Sequence, residues 1–304
     1  MSNPEIRFAK NKAIDYQKWD QCIESSVNSR VYAFSWYLDI VCPEWQGLIW
    51  GDYEYVMPLV IKRKFGISFL LQPVFAQQQG IFPGASPYIQ SNFLKTIRDK
   101  FRYVVINLSS SHSEPFPEGF IVQPRQNFIM KLSASYEELK KNYSKHTCRQ
   151  IRKADDNKVF VVKGLSSKDY LNLKNSANRN SLPKQSMQTL KRLIEYGHSH
   201  GNGTIYAAYN QTNTLCAAAF FFFAGQRAIY LNAVSSEEGK NNNAMYKIVD
   251  QFIREHSGTP LILDFEGSII PGIARFYAGF GSEPEQYYCL KINRLPIPFR
   301  WLKK

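Results

Sequence analysis

Two carboxylates and a phenol stand close together toward the C-terminal end of the chain. Asp264 and Glu266 flank Phe265, and Tyr277 follows. Alternation along an extended segment puts Asp264 and Glu266 on one side. A carboxylate there can accept a proton, and a tyrosine can give one. A second group lies upstream in the polar run Gly239, Lys240, Asn241, Asn242, Asn243 and Ala244, which opens a helical stretch. Free N–H groups and the dipole at such a start attract phosphate. A third is cationic: Lys145, Arg149, Arg152 and Lys153 recur at spacings of three and four, so one helix face is positive and can clamp a phosphate-bearing partner. Each group also has a plainer reading. Asp264 can cap the next helix or pair with Arg275, and Tyr277 can be a core aromatic. The asparagines can be an ordinary N-cap, and the basic face can simply be solvated.

The elements that must hold these groups follow from pattern. Leu261 to Phe265 is a short apolar run ending in acid, as in a buried strand. Ser268 can cap the next helix, Pro271 suits its first turn, and Ile273, Phe276 and Tyr277 recur at helical spacing. Gly279 and Gly281 end it, and Gln286 to Ile292 resumes as a strand. Upstream, Ser135 with Glu138 reads as a capping box opening one long basic helix. Val159 to Lys163 is a strand, and Ser166 to Asn180 and Ser186 to His200 are amphipathic helices. Thr204 to Tyr209, Leu215 to Ala224 and Ala228 to Val234 make an antiparallel meander. A polar loop from Ser235 to Asn243 leads to a helix over Ala244 to His256.

The first half interleaves strands and helices in the same way. Glu5 to Phe8 can start a strand, Asp15 caps a helix carrying Trp19, and Ser35 to Val41 is a second helix. Trp45 to Trp50 and Tyr55 to Lys62 pair as a hairpin across Gly51 and Asp52. Phe69 to Phe75 is a strand, Tyr88 to Phe101 a helix and Tyr103 to Leu108 a strand. Gly119 to Pro124 and Phe128 to Leu132 read as strands on either side of a turn. Glutamines at 72, 77, 78 and 79 sit among apolar residues, where they can satisfy buried backbone or line a substrate groove.

Composition narrows the classes. A chain of 304 residues with 44% hydrophobic and 21% charged residues is globular and long enough for two domains. The net charge of +13 suits polyanionic partners such as nucleic acid, nucleotide cofactors or an anionic surface. Five scattered cysteines and five histidines form no metal-ligand spacing, so no metal is expected. The beginning of the chain lacks the apolar core of a signal peptide, and no run is long enough to span a bilayer, so a cytoplasmic protein without an integral membrane segment is expected. P-loop, dinucleotide and G-x-S-x-G motifs are absent.

The order of helices, meander, loop, helix, strand, helix and strand resembles the GNAT acyltransferase superfamily. Ala274-Arg275-Phe276-Tyr277-Ala278-Gly279-Phe280 is similar to its A-x-x-F-Y-x-x-x-G-F helix, with a shorter spacing before the glycine. The words R-Q-I-R-K-A from Arg149, G-D-Y-E-Y-V-M-P-L-V-I-K-R-K from Gly51 and Q-P-V-F-A-Q-Q-Q-G-I-F from Gln72 resemble the tandem, Fem-like branch. The resemblance implies an α/β (α+β) fold of two GNAT-like domains, 1–125 and 126–304, each with a mixed, largely antiparallel sheet. It implies Tyr277 facing a thioester, Gly239 to Ala244 holding a pyrophosphate, and an acyl-CoA or aminoacyl-tRNA donor. Glu237 and Glu238 stand where that family usually has a basic residue. Fem proteins transfer amino acids from aminoacyl-tRNA to a cell-wall precursor peptide. The expectation is an N-acyltransferase acting on an amine, as a small molecule or cell-wall precursor. The alternative is a nucleotide-, tRNA- or partner-binding protein without catalysis.

Overall fold

Apolar runs bounded by glycine and proline become strands, and the longer periodic stretches become helices. The computed structural model describes residues 5–64, 66–177, 182–267 and 270–296. Two compact units result, one from Met1–Arg125 with Gln286–Lys304 and the other from Gln126–Glu285. Both combine helices with mostly antiparallel sheet, which is the α/β (α+β) class expected.

In the first unit, β1 (Ile6–Lys10) is followed by α1 (Tyr16–Glu24), whose cap Asp15 accepts from the Lys18 N–H. After α2 (Ser35–Val41), β2 (Gln46–Trp50) and β3 (Tyr55–Leu59) form the expected hairpin, and β1 adds to β2. Trp19, Ile23, Leu38 and Trp45 fill the core beside them. Residues expected at the end of the second hairpin strand form a separate strand, β4 (Ile61–Lys64), antiparallel to β5 (Ile67–Leu71). Helix α3 (Pro87–Lys100), capped by Ser86, then carries the chain to β6 (Tyr103–Leu108), parallel to β5.

Strand β5 stops at Leu71 rather than Phe75, because Pro73 has no N–H for a ladder and Phe75 turns left-handed at φ 61°. The chain returns so that Gln79 bridges Leu108 in parallel. Between these points the glutamines act as ladder partners. Gln72 Oε1 accepts from the Asn107 N–H at 2.9 Å, Gln78 Oε1 accepts from the Ser110 N–H at 3.1 Å, and the Gln77 carbonyl accepts from Asn107 Nδ2 at 2.9 Å. The run satisfies buried backbone where the sheet splits.

The second unit takes in most of β7 (Ile121–Lys131), one strand where a turn between two was expected. Of the polar residues at the expected turn, Asn127 is used inward: it is fully buried and donates to Asp264. The basic stretch is likewise two helices, not one. The capping box of Ser135 and Glu138 forms and opens α4 (Tyr136–Lys141). Tyr143 then turns into the core, and Ser144 caps α5 (Lys145–Asp156) afresh. There follow β8 (Phe160–Lys163), α6 (Ser167–Ala177), α7 (Lys184–Ser199), β9 (Gly203–Tyr209), β10 (Leu215–Ala224) and β11 (Arg227–Ser235). The expected polar loop contains a helix, α8 (Glu237–Asn241), because Ser236 caps it. Next come α9 (Ala244–His256), β12 (Ile262–Asp264), α10 (Pro271–Ala278) and β13 (Glu283–Asn293), which rejoins the first unit antiparallel to β6. Ser268, the expected cap of α10, lies outside the described residues, as do 178–180 at the expected end of α6.

Strand order in the second unit is β7-β12-β11-β10-β9-β8, with β11 and β12 the parallel pair. The sheet has two covered faces. Phe221 stacks on Phe252 of α9 at 4.0 Å, while Phe220 and Phe222 lie against Gly197 of α7.

Candidate active site

Strands β11 and β12 run together only from Arg227↔Ile262 to Ile229↔Asp264, and then part. Just beyond, β11 carries a bulge: Phe221 opposes Tyr230 and Phe220 opposes Asn232, leaving Leu231 unpaired. Opposed residues share a face, so Tyr230 turns to the α9 side with Phe221, and Asn232 turns the other way with Phe220. A cavity of about 640 Å³ occupies the split. Its walls are β11 from Tyr230 to Ser235, the α8–α9 junction, Phe265 to Gly267, and one face of α10.

Tyr277 lines this cavity from α10. Its ring stacks on Phe265 at 4.8 Å and touches Phe128 and Tyr230 at 6.1 and 6.0 Å. Among the described residues its hydroxyl has no hydrogen-bond partner. Burial raises the phenol above its ordinary pKa and the charge of Glu266 adds to this, so it stays a proton donor at neutral pH.

Glu266 also lines the cavity, but Asp264 does not. The alternation that would pair them fails because Glu266 takes a left-handed backbone, φ 57°. Asp264 is 3% exposed and faces Arg227 at 2.7 Å, Asn127 Nδ2 at 3.0 Å and the Glu266 N–H at 3.0 Å. Arg227 reaches Glu285 as well, at 3.3 Å. Burial by itself would lower the guanidinium pKa, but the two carboxylates outweigh it and the net shift is upward. Asp264 thus anchors the end of β12 while the next acid enters the cavity.

The expected phosphate residues divide. Gly239, Lys240 and Asn243 line the cavity; Asn241 and Asn242 do not, and Ala244 is buried at the start of α9. Gly239 is required by packing, since a Cβ would stand 2.1 Å from the Cys216 carbonyl oxygen. Asn243 is left-handed, φ 57°, and gives α9 no side-chain cap; its carbonyl takes the Tyr246 N–H at 3.0 Å, and the N–H groups of Ala244 and Met245 are left for another acceptor. Glu237 pairs with Lys240 at 2.7 Å, Glu238 accepts from Asn210, and neither lines the cavity. Lys145, Arg149, Arg152 and Lys153 are all exposed on α5 and outside the cavity. That helix packs on α9, with Lys247 and Asp155 2.6 Å apart and His146 Nε2 3.3 Å from the hydroxyl of cavity-lining Tyr246.

Sequence reasoning missed Tyr230, Asn232, Tyr246 and the bulge. The available signal was Asn232, a lone amide inside the apolar strand A-I-Y-L-N-A-V.

Comparison with protein-family models and with curated proteins gives no match. Solved structures do match. FemX aligns with a TM-score of 0.62 at 14% identity, over 98% of this chain and 99% of that one. A tandem GNAT protein from the clavulanic acid biosynthesis pathway aligns at 0.54 and 12%, over 94% and 98%. L-PGS from Bacillus licheniformis aligns at 0.52 and 8%, over 95% of each chain. The chain therefore has a GNAT-like α/β fold. Within that class, its fold is similar to that of FemX. Among the described residues no helix is long and apolar enough to cross a membrane, and no cluster of ligand-type side chains could hold a metal ion.

Proposed function

We propose that the protein is a cytoplasmic N-acyltransferase with two GNAT-like domains, the second beginning at residue 126, moving an acyl or aminoacyl group onto an amine. The observation that carries this is the split between β11 and β12, with the Tyr277 hydroxyl unpartnered at its wall. Past Ile229 the edge of β11 has no β12 partner, so an amide-bearing donor arm can pair with it as an added strand would. Phosphates of acyl-CoA, or of the end of an aminoacyl-tRNA, meet the uncapped start of α9 with Gly239, Lys240 and Asn243. The amine attacks the donor carbonyl, Glu266 takes the proton it sheds, and the C–N bond forms. The C–S or C–O bond breaks as Tyr277 gives its proton to the leaving group. Asp264 acts through position, holding the loop that presents Glu266.

FemX and the Fem-like sequence words favour a cell-wall-precursor acceptor, and the AcCoA named for the tandem GNAT neighbour favours a coenzyme A donor. The exposed basic face of α5 supports one second reading, a nucleotide- or tRNA-binding protein without turnover. Thermal-shift titration with acetyl-CoA and with charged tRNA tests the proposal. A donor at about 100 Kd stabilises by about 2.7 kcal/mol, an easily measured rise in Tm. Failure of both donors to shift Tm overturns the transferase reading.

A further inference from the structure

On the side of β11 away from α9, helix α6 brings a lysine into the interior. Lys174 is 6% exposed, and its ammonium makes one hydrogen bond, long at 3.4 Å, to the carbonyl of Ala233. Among the described residues no carboxylate pairs with it. Burial pushes its pKa down to about 8. One turn earlier on the same helix, fully buried Tyr170 donates to Asn232 Oδ1 at 2.8 Å, which fixes the amide. Asn232 and Ala233 both line the cavity, and Lys174 reaches the Ala233 carbonyl from outside its wall. A core-facing helix position is ordinarily apolar, and a buried ammonium without a counter-ion is costly, so the arrangement lacks a negative charge.

We propose that Lys174 and the Asn232 amide form an acceptor subsite for a carboxylate, which makes the amine acceptor an amino acid or the C-terminal residue of a peptide. This rests on the acyltransferase reading above and extends it to the second substrate. The donor elements, α8 and α9, flank one face of β11, and Lys174 and Tyr170 flank the other, so two substrates reach the split from opposite sides. One cation beside one neutral amide suits a monoanion rather than a doubly charged phosphate. A bound carboxylate also restores the charged form of Lys174.

Isothermal titration with L-lysine and with cadaverine, which differ only in the carboxylate, tests the subsite. L-lysine is expected to bind about tenfold or more tightly than cadaverine. Lys174→Met lowers L-lysine to the cadaverine level while raising Tm, since a buried charge gives way to an apolar chain of similar size. Lys174→Gln, with the same loss expected, serves if the methionine variant does not fold. Equal binding of the two diamines, no binding of L-lysine, or L-lysine binding unchanged in the variants overturns the proposal. L-Alanyl-L-lysine separates the two sources of the carboxylate: tighter binding than L-lysine indicates a peptide terminus, weaker binding a free amino acid. A parallel coenzyme A titration of the wild-type protein reports on the donor site alone, and its failure leaves the lysine–cadaverine contrast standing.

Discussion

Replacing Tyr277 by Phe removes one oxygen and leaves the ring in place. The contacts with Phe265, Phe128 and Tyr230 belong to the ring, so packing is unchanged. The lost hydroxyl faces the cavity and has no hydrogen-bond partner among the described residues, so its removal breaks no bond within the fold. Tm should therefore hold or rise slightly. Turnover should not. Loss of a positioned general acid lowers kcat by about 10²- to 10⁴-fold, equivalent to about 3–5 kcal/mol of transition-state stabilisation. The assay is acyl transfer from acetyl-CoA, run beside a donor with an aryl thiol of low pKa. A thiolate that leaves without a proton has no use for Tyr277, so the variant's defect should shrink by about tenfold or more on that donor. Unchanged turnover with acetyl-CoA, or an equal loss with both donors, refutes the assignment.

Arg227→Met should destabilise by about 3–5 kcal/mol, read by chemical denaturation, because it strands the carboxylates of Asp264 and Glu285. It should also lower activity through the Glu266 loop, and adding Asp264→Asn should restore part of the stability. Fully buried His112 accepts the Ile81 N–H on Nε2 at 3.1 Å, and burial holds its pKa down to about 4, with Arg30 adding to the effect. The imidazole is neutral in the folded state, so its contribution is intact above about pH 6.5 and is lost as pH falls toward 4, about 3 kcal/mol in all. His112→Gln should flatten acid unfolding over that window. Reversing charge on α5 with Arg149→Glu and Arg152→Glu should weaken tRNA binding and reduce its salt slope, while the acetyl-CoA shift stays as in wild type.

The elements were legible where one pattern ran long enough. Helix α9 begins and ends at the expected residues because Asn243 and the Ile248, Val249 and Phe252 face leave one reading. The basic stretch misled because Ser144 is a second cap hidden among strong helix formers, and only burial of Tyr143 shows why the chain breaks there. The site was half legible for a similar reason. Tyr277 and Glu266 could be picked out by residue type. The separation of Asp264 from Glu266, however, depends on one left-handed residue and on Arg227, far away in sequence. The bulge at Leu231 is a property of register with β10, so no reading of β11 alone contains it.

Both units contain a parallel strand pair, β5 with β6 and β11 with β12. Beyond the second pair the strands part around a cavity. Beyond the first, Gln72, Gln77 and Gln78 fill the same kind of gap with the chain's own amides. A segment tethered by peptide bonds never dissociates, and no diffusing molecule competes with it on equal terms. The first pair is, in effect, permanently occupied by a built-in occupant, and among the described residues the gap that stays open is the one beyond β11 and β12.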